Sequence, residues 1–313
     1  MWTPFVQCWT RRSRAFDTGN FSKLLPTSNF TLNMSNTPDA TRLNPPDQGP
    51  AVRDLAANER FRQKVVDLLG GDPDSIWHGG YVDHVWEKCR QPLVQYLGQS
   101  RAKRVLEFGC NLGATSVVLA HLGAKVDAID IDTRYIEIAV ENAARHGFTD
   151  EIRFGCHADS TALPWPDGTF DFIACNSVLE YVPFAILPAV LSELDRILAP
   201  GGIVFVAGTS NRLSPIEIHS RRWFINYMPR SFGPAASDVE RGLFPWDVLG
   251  GFPGYTQLDV EDRSSTYFDW KRAAGMSASR RAVLHAVDAV SRPLGLPVAL
   301  LLPSFSTALR KPA

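Results

Sequence analysis

Four clusters of acidic, amide and glycine residues recur in order through the middle of the chain and carry its chemistry. Glu107 precedes Gly109-Cys110-Asn111-Leu112-Gly113, and Asp130 sits within Ala128-Ile129-Asp130-Ile131-Asp132. Asp159 is followed by Ser160, and Asn176 by Ser177-Val178-Leu179-Glu180-Tyr181. Glycines that turn sharply into a helix bring backbone amides together, which makes a cradle for a cofactor. Each acid alone is weak evidence, since an acid after a strand often just caps the next helix. A further group, His219, Arg221, Arg222 and Tyr227, lies in the least generic stretch of the chain and offers a titrating imidazole beside cations.

These residues need a scaffold that delivers them to one edge. Short apolar runs at 104–108, 125–130, 152–156, 170–176 and 202–207 read as strands. Between them, amphipathic stretches at 114–122, 133–146 and 184–198 read as helices. Strands alternating with helices imply an α/β fold with parallel pairing and helices on both faces. Ligands in such sheets bind beyond the carboxyl ends of the strands, where the strand order reverses. All four clusters fall at such ends. Upstream, apolar residues from Val52 to Leu69 recur at helical spacing and stop at Gly70-Gly71-Asp72-Pro73, and a second helix is expected over 82–97, so residues 51–100 form a helical N-terminal cap. Trp77-His78-Gly79-Gly80-Tyr81 between them is read as packing in preference to a flap over the cofactor. Downstream, 257–261 reads as a sixth strand, 276–290 as a helix and 305–310 as a final strand.

Composition excludes several classes. With 32 basic and 33 acidic residues the chain has no global field to gather nucleic acid, which is not expected as a partner. Five scattered cysteines without a Cys-x-x-Cys pair suit a reducing compartment, and Cys110, Cys156 and Cys175 read as small apolar fillers. No metal-ligand cluster is apparent, so metal-independent chemistry is expected. The apolar run 294–302 is broken by Pro297 and is too short to span a bilayer; packing on the domain's own flank is preferred there over contact with a membrane surface. Residues 1–50 are rich in Ser, Thr, Asn and Pro and read as a disordered tail. A cytoplasmic location is expected, the alternative being an organellar one if residues 1–33 are a transit peptide.

From Val105 to Val206 the chain resembles the class I S-adenosylmethionine-dependent methyltransferases, in particular the small-molecule group that includes ubiquinone and menaquinone methyltransferases. The matching motifs are Glu107-x-Gly109-x-Asn111-x-Gly113, Asp130, Asp159 with Leu163-Pro164-Trp165-Pro166-Asp167-Gly168, Leu179-Glu180-Tyr181-Val182 and Leu198-Ala199-Pro200-Gly201-Gly202. The resemblance implies a doubly wound, seven-stranded Rossmann-like sheet over 101–313, with a lid insertion at 209–255 after the fifth strand. It implies S-adenosylmethionine as cofactor, with Glu107 serving its ammonium end, Gly109, Asn111 and Gly113 its methionyl portion, and Asp130 its ribose hydroxyls. Asp159 and Ser160 would read the adenine edge, Ile131 and Leu163 would flank it, and Asn176 completes the set. Two departures stand out: Asn111 replaces the usual middle glycine, and Tyr181 stands where many relatives carry histidine. A nicotinamide dinucleotide enzyme fits less well, because the turn reads Gly-x-Asn-x-Gly and lacks the Gly-x-Gly-x-x-Gly spacing. A cofactor-binding scaffold without catalysis is the remaining alternative.

The expected reaction is methyl transfer to oxygen, nitrogen or carbon of a small organic acceptor, isoprenoid, lipid-linked or sugar. The lid would cover that acceptor, with His219 as candidate base and Tyr181 beside it. Ser214, Pro215 and Glu217 read as the capping box of a lid helix.

Overall fold

Strand β1 (Arg104–Phe108) is buried from its second residue onward, as a central parallel strand must be. It pairs with β2 (Lys125–Asp130) on one side and β4 (Phe170–Asn176) on the other, both parallel. β3 (Ile152–Cys156) extends the sheet beyond β2, and β5 (Leu198–Ser210) extends it beyond β4. At that edge β7 (Ser304–Arg310) runs antiparallel to β5 and to the two-residue β6 (Thr256–Gln257). The order is β3-β2-β1-β4-β5-β7-β6. Sequence order therefore reverses between β1 and β4, and the crevice beyond their carboxyl ends is where a ligand belongs. The computed structural model describes residues 48–100, 104–219, 221–229 and 241–313; the expectations for residues 1–47 lie outside it.

Helices cover both faces. α1 (Leu55–Leu69) starts at Asp54, whose side chain accepts from the Ala57 amide, and buries Ala57, Phe61 and Val65. α2 (Tyr81–Ser100), α3 (Ala114–His121) and α4 (Thr133–His146) pack on the face formed by Val105, Val126, Ala128 and Phe172. α3 is buried on every side, which explains why its sequence is apolar all round. α5 (Leu187–Ile197) covers the opposite face, where Leu106, Phe108, Ile173 and Val204 lie. Trp77 and Tyr81 stack around His84, so the Trp-His-Gly-Gly-Tyr stretch packs within the cap.

Four expectations change. β5 runs to Ser210, so Thr209 and Ser210, assigned to the lid, are buried sheet residues. The sixth strand shrinks to two residues, because α7 (Leu258–Glu261) turns Asp259 inward to accept from Tyr96 Oη at 3.2 Å and the Ala308 amide at 3.3 Å. Cys156 is exposed, whereas Cys110 and Cys175 are the buried fillers expected. Ser214 caps no helix. The segment is a set of turns closed by an Ile216–Trp223 bridge, with Arg221 and Phe224 at positive φ, which no helix tolerates. The rest of the insertion contains a short helix α6 (Pro245–Leu249), and the chain closes through α8 (Ser265–Ala273) and α9 (Ala278–Ser291) before β7.

Candidate active site

The turn after β1 is built by its own neighbours. Gly109 has φ 74°, and a Cβ there would lie 2.1 Å from Cγ2 of Val178, so both backbone and packing demand glycine. Asn111 has φ 50°, in the left-handed region that asparagine enters more readily than most residues. Its Oδ1 accepts from the Leu112 amide at 2.7 Å. That explains the departure from glycine: the side chain completes a turn of its own. The Asn111 amide donates to Asp130 Oδ2 at 2.9 Å and the Asp132 amide to Oδ1 at 3.1 Å, so the loops after β1 and β2 are clamped on one carboxylate. Gly113, at φ 71°, opens α3 against Ala139 and Phe154.

Glu107 reaches the first turn of α3. It is buried and accepts from Ser116 Oγ. Burial pushes its carboxyl up to about 8, against the opposing effect of hydrogen bonds from Ser116 and Thr115. Asn176, at the end of β4, donates to Thr115 Oγ1 at 3.1 Å. Glu107 and Asn176 thus meet the same helical turn from adjacent strands and hold the start of α3 in place.

Beyond these strand ends lies a narrow cleft. Gly109, Asp130, Ile131, Ser160 and Tyr181, all expected site residues, line it together. Glu107, Asn111, Gly113, Asp159, Asn176 and His219 do not. Asp159 is exposed and accepts from Thr161 N and Oγ1 at 2.9 and 2.6 Å, bonds that hold its carboxyl below the usual range. Leu163, in the loop between β3 and β4, is a core residue whose amide donates to Glu193 of α5. The sequence reading missed His157, Val178, Pro183 and Ile186, which line it along with Phe108, Ile129 and Val182. His157 is two residues from Asp159 and within reach of the strand-end argument; Ile186 falls in the stretch read as a helix and is the N-cap of α5. A wider hollow bounded by Arg104, Asp127, Arg153 and Trp165 adjoins the cleft through Ile129 and His157.

The lid turns set His219 behind the cleft wall, against Tyr181. Its ring lies 5.5 Å from that of Tyr181, centroid to centroid. His219 Nδ1 is 2.9 Å from Glu217 Oε1, and its amide donates to Glu217 Oε2 at 2.9 Å. Ser210 Oγ, at the end of β5, donates to the same Oε1 at 2.9 Å, anchoring the fully buried Glu217 to the sheet. Glu180 Oε1 stands 3.8 Å from His219 Nε2. Tyr227 bonds the Leu213 carbonyl through its hydroxyl, and Arg221 and Arg222 are exposed.

A model of the methyltransferase domain matches residues 105–202. The ubiquinone biosynthesis O-methyltransferase of Xylella fastidiosa is 31% identical over 228 residues, spanning 71% of this chain and 89% of that protein. The chain belongs to the class I S-adenosylmethionine-dependent methyltransferases. An uncharacterized Haemophilus influenzae protein is 29% identical over 119 residues, and the chain spans about half its length, 47%. Among solved structures, a Methanosarcina mazei methyltransferase aligns with a TM-score of 0.34 and 25% identity over 37% of this chain and 56% of that one. The methyltransferase sheet order, with the reversed seventh strand inserted before the sixth, is the fold the sequence resemblance implied. Among the described residues of this methyltransferase no helix is long and apolar enough to cross a membrane.

Proposed function

We propose that this methyltransferase moves a methyl group from S-adenosylmethionine to a hydroxyl oxygen of a small organic acceptor, with His219 taking the hydroxyl proton. The observation that carries the reading is the placement of His219 against Tyr181 at the wall of the cleft that also holds Gly109 and Asp130. The cleft suits the cofactor: one buried carboxylate, Asp130, sits beside apolar walls from Ile129, Ile131, Val182 and Ile186. Asp130 is suited to accept from the ribose hydroxyls, and Ile131 with Ser160 to border the adenine. The sulfonium supplies an electrophilic methyl with an excellent leaving group, so the protein needs only to align the acceptor, exclude water and remove a proton.

The lid supplies that last function. A carboxylate only accepts hydrogen bonds, so Glu217 holds the proton on His219 Nδ1 and leaves Nε2 as the basic nitrogen. Once Nε2 takes the proton, Glu180 beside it opposes the new positive charge. The Xylella fastidiosa relative is a ubiquinone biosynthesis O-methyltransferase, which supports oxygen as the receiving atom, and Arg221 and Arg222 are suited to an anionic group on the acceptor.

The test is calorimetric titration with S-adenosylmethionine and S-adenosylhomocysteine, with Asp130→Ala and NAD as controls, followed by mass-spectrometric screening of phenolic and lipid-linked hydroxyl acceptors for a methyl gain. Binding by the wild type that Asp130→Ala loses, with NAD inert, is the expected outcome. A wild type that binds neither sulfonium nor thioether refutes the reading.

A further inference from the structure

Arg145, the next-to-last residue of α4, is 3% exposed, and a cation buried that far must find partners for its donors. Its planar fork meets three elements at once. Nε donates to Asn142 Oδ1 at 2.8 Å within α4, one Nη to Asn58 Oδ1 of α1 at 3.1 Å, and the other to the carbonyl of Gly79, in the loop between α1 and α2, at 3.0 Å. The guanidinium carbon lies 3.9 Å from the centre of the Phe61 ring of α1. The Arg145 carbonyl accepts from the Arg53 and Asp54 amides, at the entry to α1, at 2.7 and 3.1 Å. Side chain and backbone of one residue therefore both hold the N-terminal cap. Lysine could not do this, because its donors share a single nitrogen and cannot point along three separate directions. Burial brings the Arg145 guanidinium down to about 10, so it stays charged at neutral pH.

The other end of this network is the glycine turn. Asn142 is fully buried, and its Nδ2 donates to the Leu112 carbonyl at 2.6 Å. The first helical bond of α3 runs from the Val117 amide to the carbonyl of Gly113, one residue later, so Asn142 supplies from outside the donor that the helix does not. The Leu112 side chain, 1% exposed, is enclosed by Phe61 and Val65 of α1 and by Tyr135 and Ile138 of α4. Leu112 stands between Asn111, whose amide bonds Asp130, and Gly113, which opens α3. One hydrogen-bonded chain thus runs from the cap through Arg145 and Asn142 into the peptide that shapes the turn.

We infer that Arg145 is a positioning residue for the cofactor: acting through Asn142, it fixes the Leu112 peptide and couples docking of the cap to occupation of the glycine turn. The inference rests on the reading that S-adenosylmethionine binds at this turn. Arg145 lines no part of the cleft, so its effect on binding passes entirely through the relay. A turn released from Asn142 samples other conformations, and the ligand then meets a smaller population of the competent one. Linkage makes the coupling reciprocal: a bound cofactor holds the cap down by the same factor by which the docked cap strengthens binding.

The test uses the full chain and S-adenosylhomocysteine. Arg145→Lys keeps the charge and loses the fork, and calorimetry should show an affinity about 10-fold weaker, within the usual range for coupled sites. The double variant Arg145→Lys/Asn142→Ala should bind no more weakly than Asn142→Ala alone, because the two residues act along one path. Amides of α1 that exchange with solvent faster than those of the central strands report local opening of the cap. Saturating S-adenosylhomocysteine should slow them about 10-fold in the wild type and less than about 2-fold in Asn142→Ala, where the relay is cut. Wild-type affinity in folded Arg145→Lys, losses that simply add in the double variant, or α1 amides indifferent to the ligand in the wild type would overturn the inference. Should Arg145→Lys not fold, Asn58→Ala removes a single bond from a half-buried position on α1: an affinity about 3-fold weaker supports the relay, and an unchanged one overturns it. A wild type that binds no S-adenosylhomocysteine overturns the cofactor reading and the inference together, whereas the other adverse outcomes overturn the inference alone.

Discussion

Replacing Glu107 by glutamine should make the methyltransferase more stable at neutral pH while leaving its backbone unchanged. The carboxyl is 2% exposed and burial raises its pKa from 4.5 to about 8, so in the folded chain at pH 7 it is mostly protonated. The unfolded chain has released that proton. The stability Glu107 contributes is therefore fully present below about pH 4.5 and is lost as pH rises through about 8. At pH 7, taking the proton back up costs about 3 kcal/mol, at 1.36 kcal/mol per tenfold change in proton affinity. Glutamine never pays that cost. Against it, the amide offers Ser116 and Thr115 one acceptor where the carboxyl offered two, a penalty of about 1 kcal/mol. The net gain is about 2 kcal/mol at pH 7, or roughly 4–8 °C in Tm for a domain of this size. Urea denaturation of both proteins at pH 5, 6, 7 and 8 measures it, and the gap should widen steadily with pH. A gap of constant size, or a variant that loses stability as pH rises in parallel with the wild type, would refute the protonated, buried carboxyl.

The remaining predictions concern the turn and the lid. Gly109→Ala should cost roughly 2–4 kcal/mol, from positive φ and the clash with Val178, and Val178→Ala should recover part of the loss in a double-mutant cycle of unfolding free energies. Asn111→Gly should fold within about 1 kcal/mol of the wild type, because glycine keeps the left-handed φ while losing only the bond to the Leu112 amide; Asn111→Val at the same φ should lose roughly 2 kcal/mol or more. His219→Ala should lower kcat by about 100-fold or more with cofactor affinity unchanged in calorimetry, and Glu217→Gln should lower kcat by about 10–100-fold. Equal turnover in wild type and His219→Ala would remove the general base from the reaction.

The cofactor half of the molecule was legible because its determinants are local. The alternation of apolar runs, the glycine turn after β1 and the acids ending successive strands are each set by a few neighbouring residues, so the strand boundaries at 104–108, 125–130, 152–156 and 170–176 coincide with the structure. Even there, the sequence marks residue types without marking where side chains point. The sequence does not show that Glu107 lies on the α3 side of β1, bonded to Ser116, with Leu106 and Phe108 on the other. Asp159 bonds its own turn, and His157, two residues earlier, lines the cleft instead.

On the acceptor side, local signals misled. Ser214-Pro215-Ile216-Glu217 has the spacing of a helix start, but Glu217 gains three hydrogen bonds by turning inward to Ser210 and His219, and a helix would have given these up. The same competition ended the sixth strand at Gln257, where Asp259 turns in to meet Tyr96, 163 residues away in the chain. The sequence by itself determined the α/β class, the sheet-forming segments and the residue types gathered at the strand ends, because periodicity and turn chemistry act over a few residues. Only the tertiary structure decided which of those residues share a cleft and which carboxylates stand around His219, because those choices rest on partners far apart in the chain and on the burial of charge that no single segment can reveal.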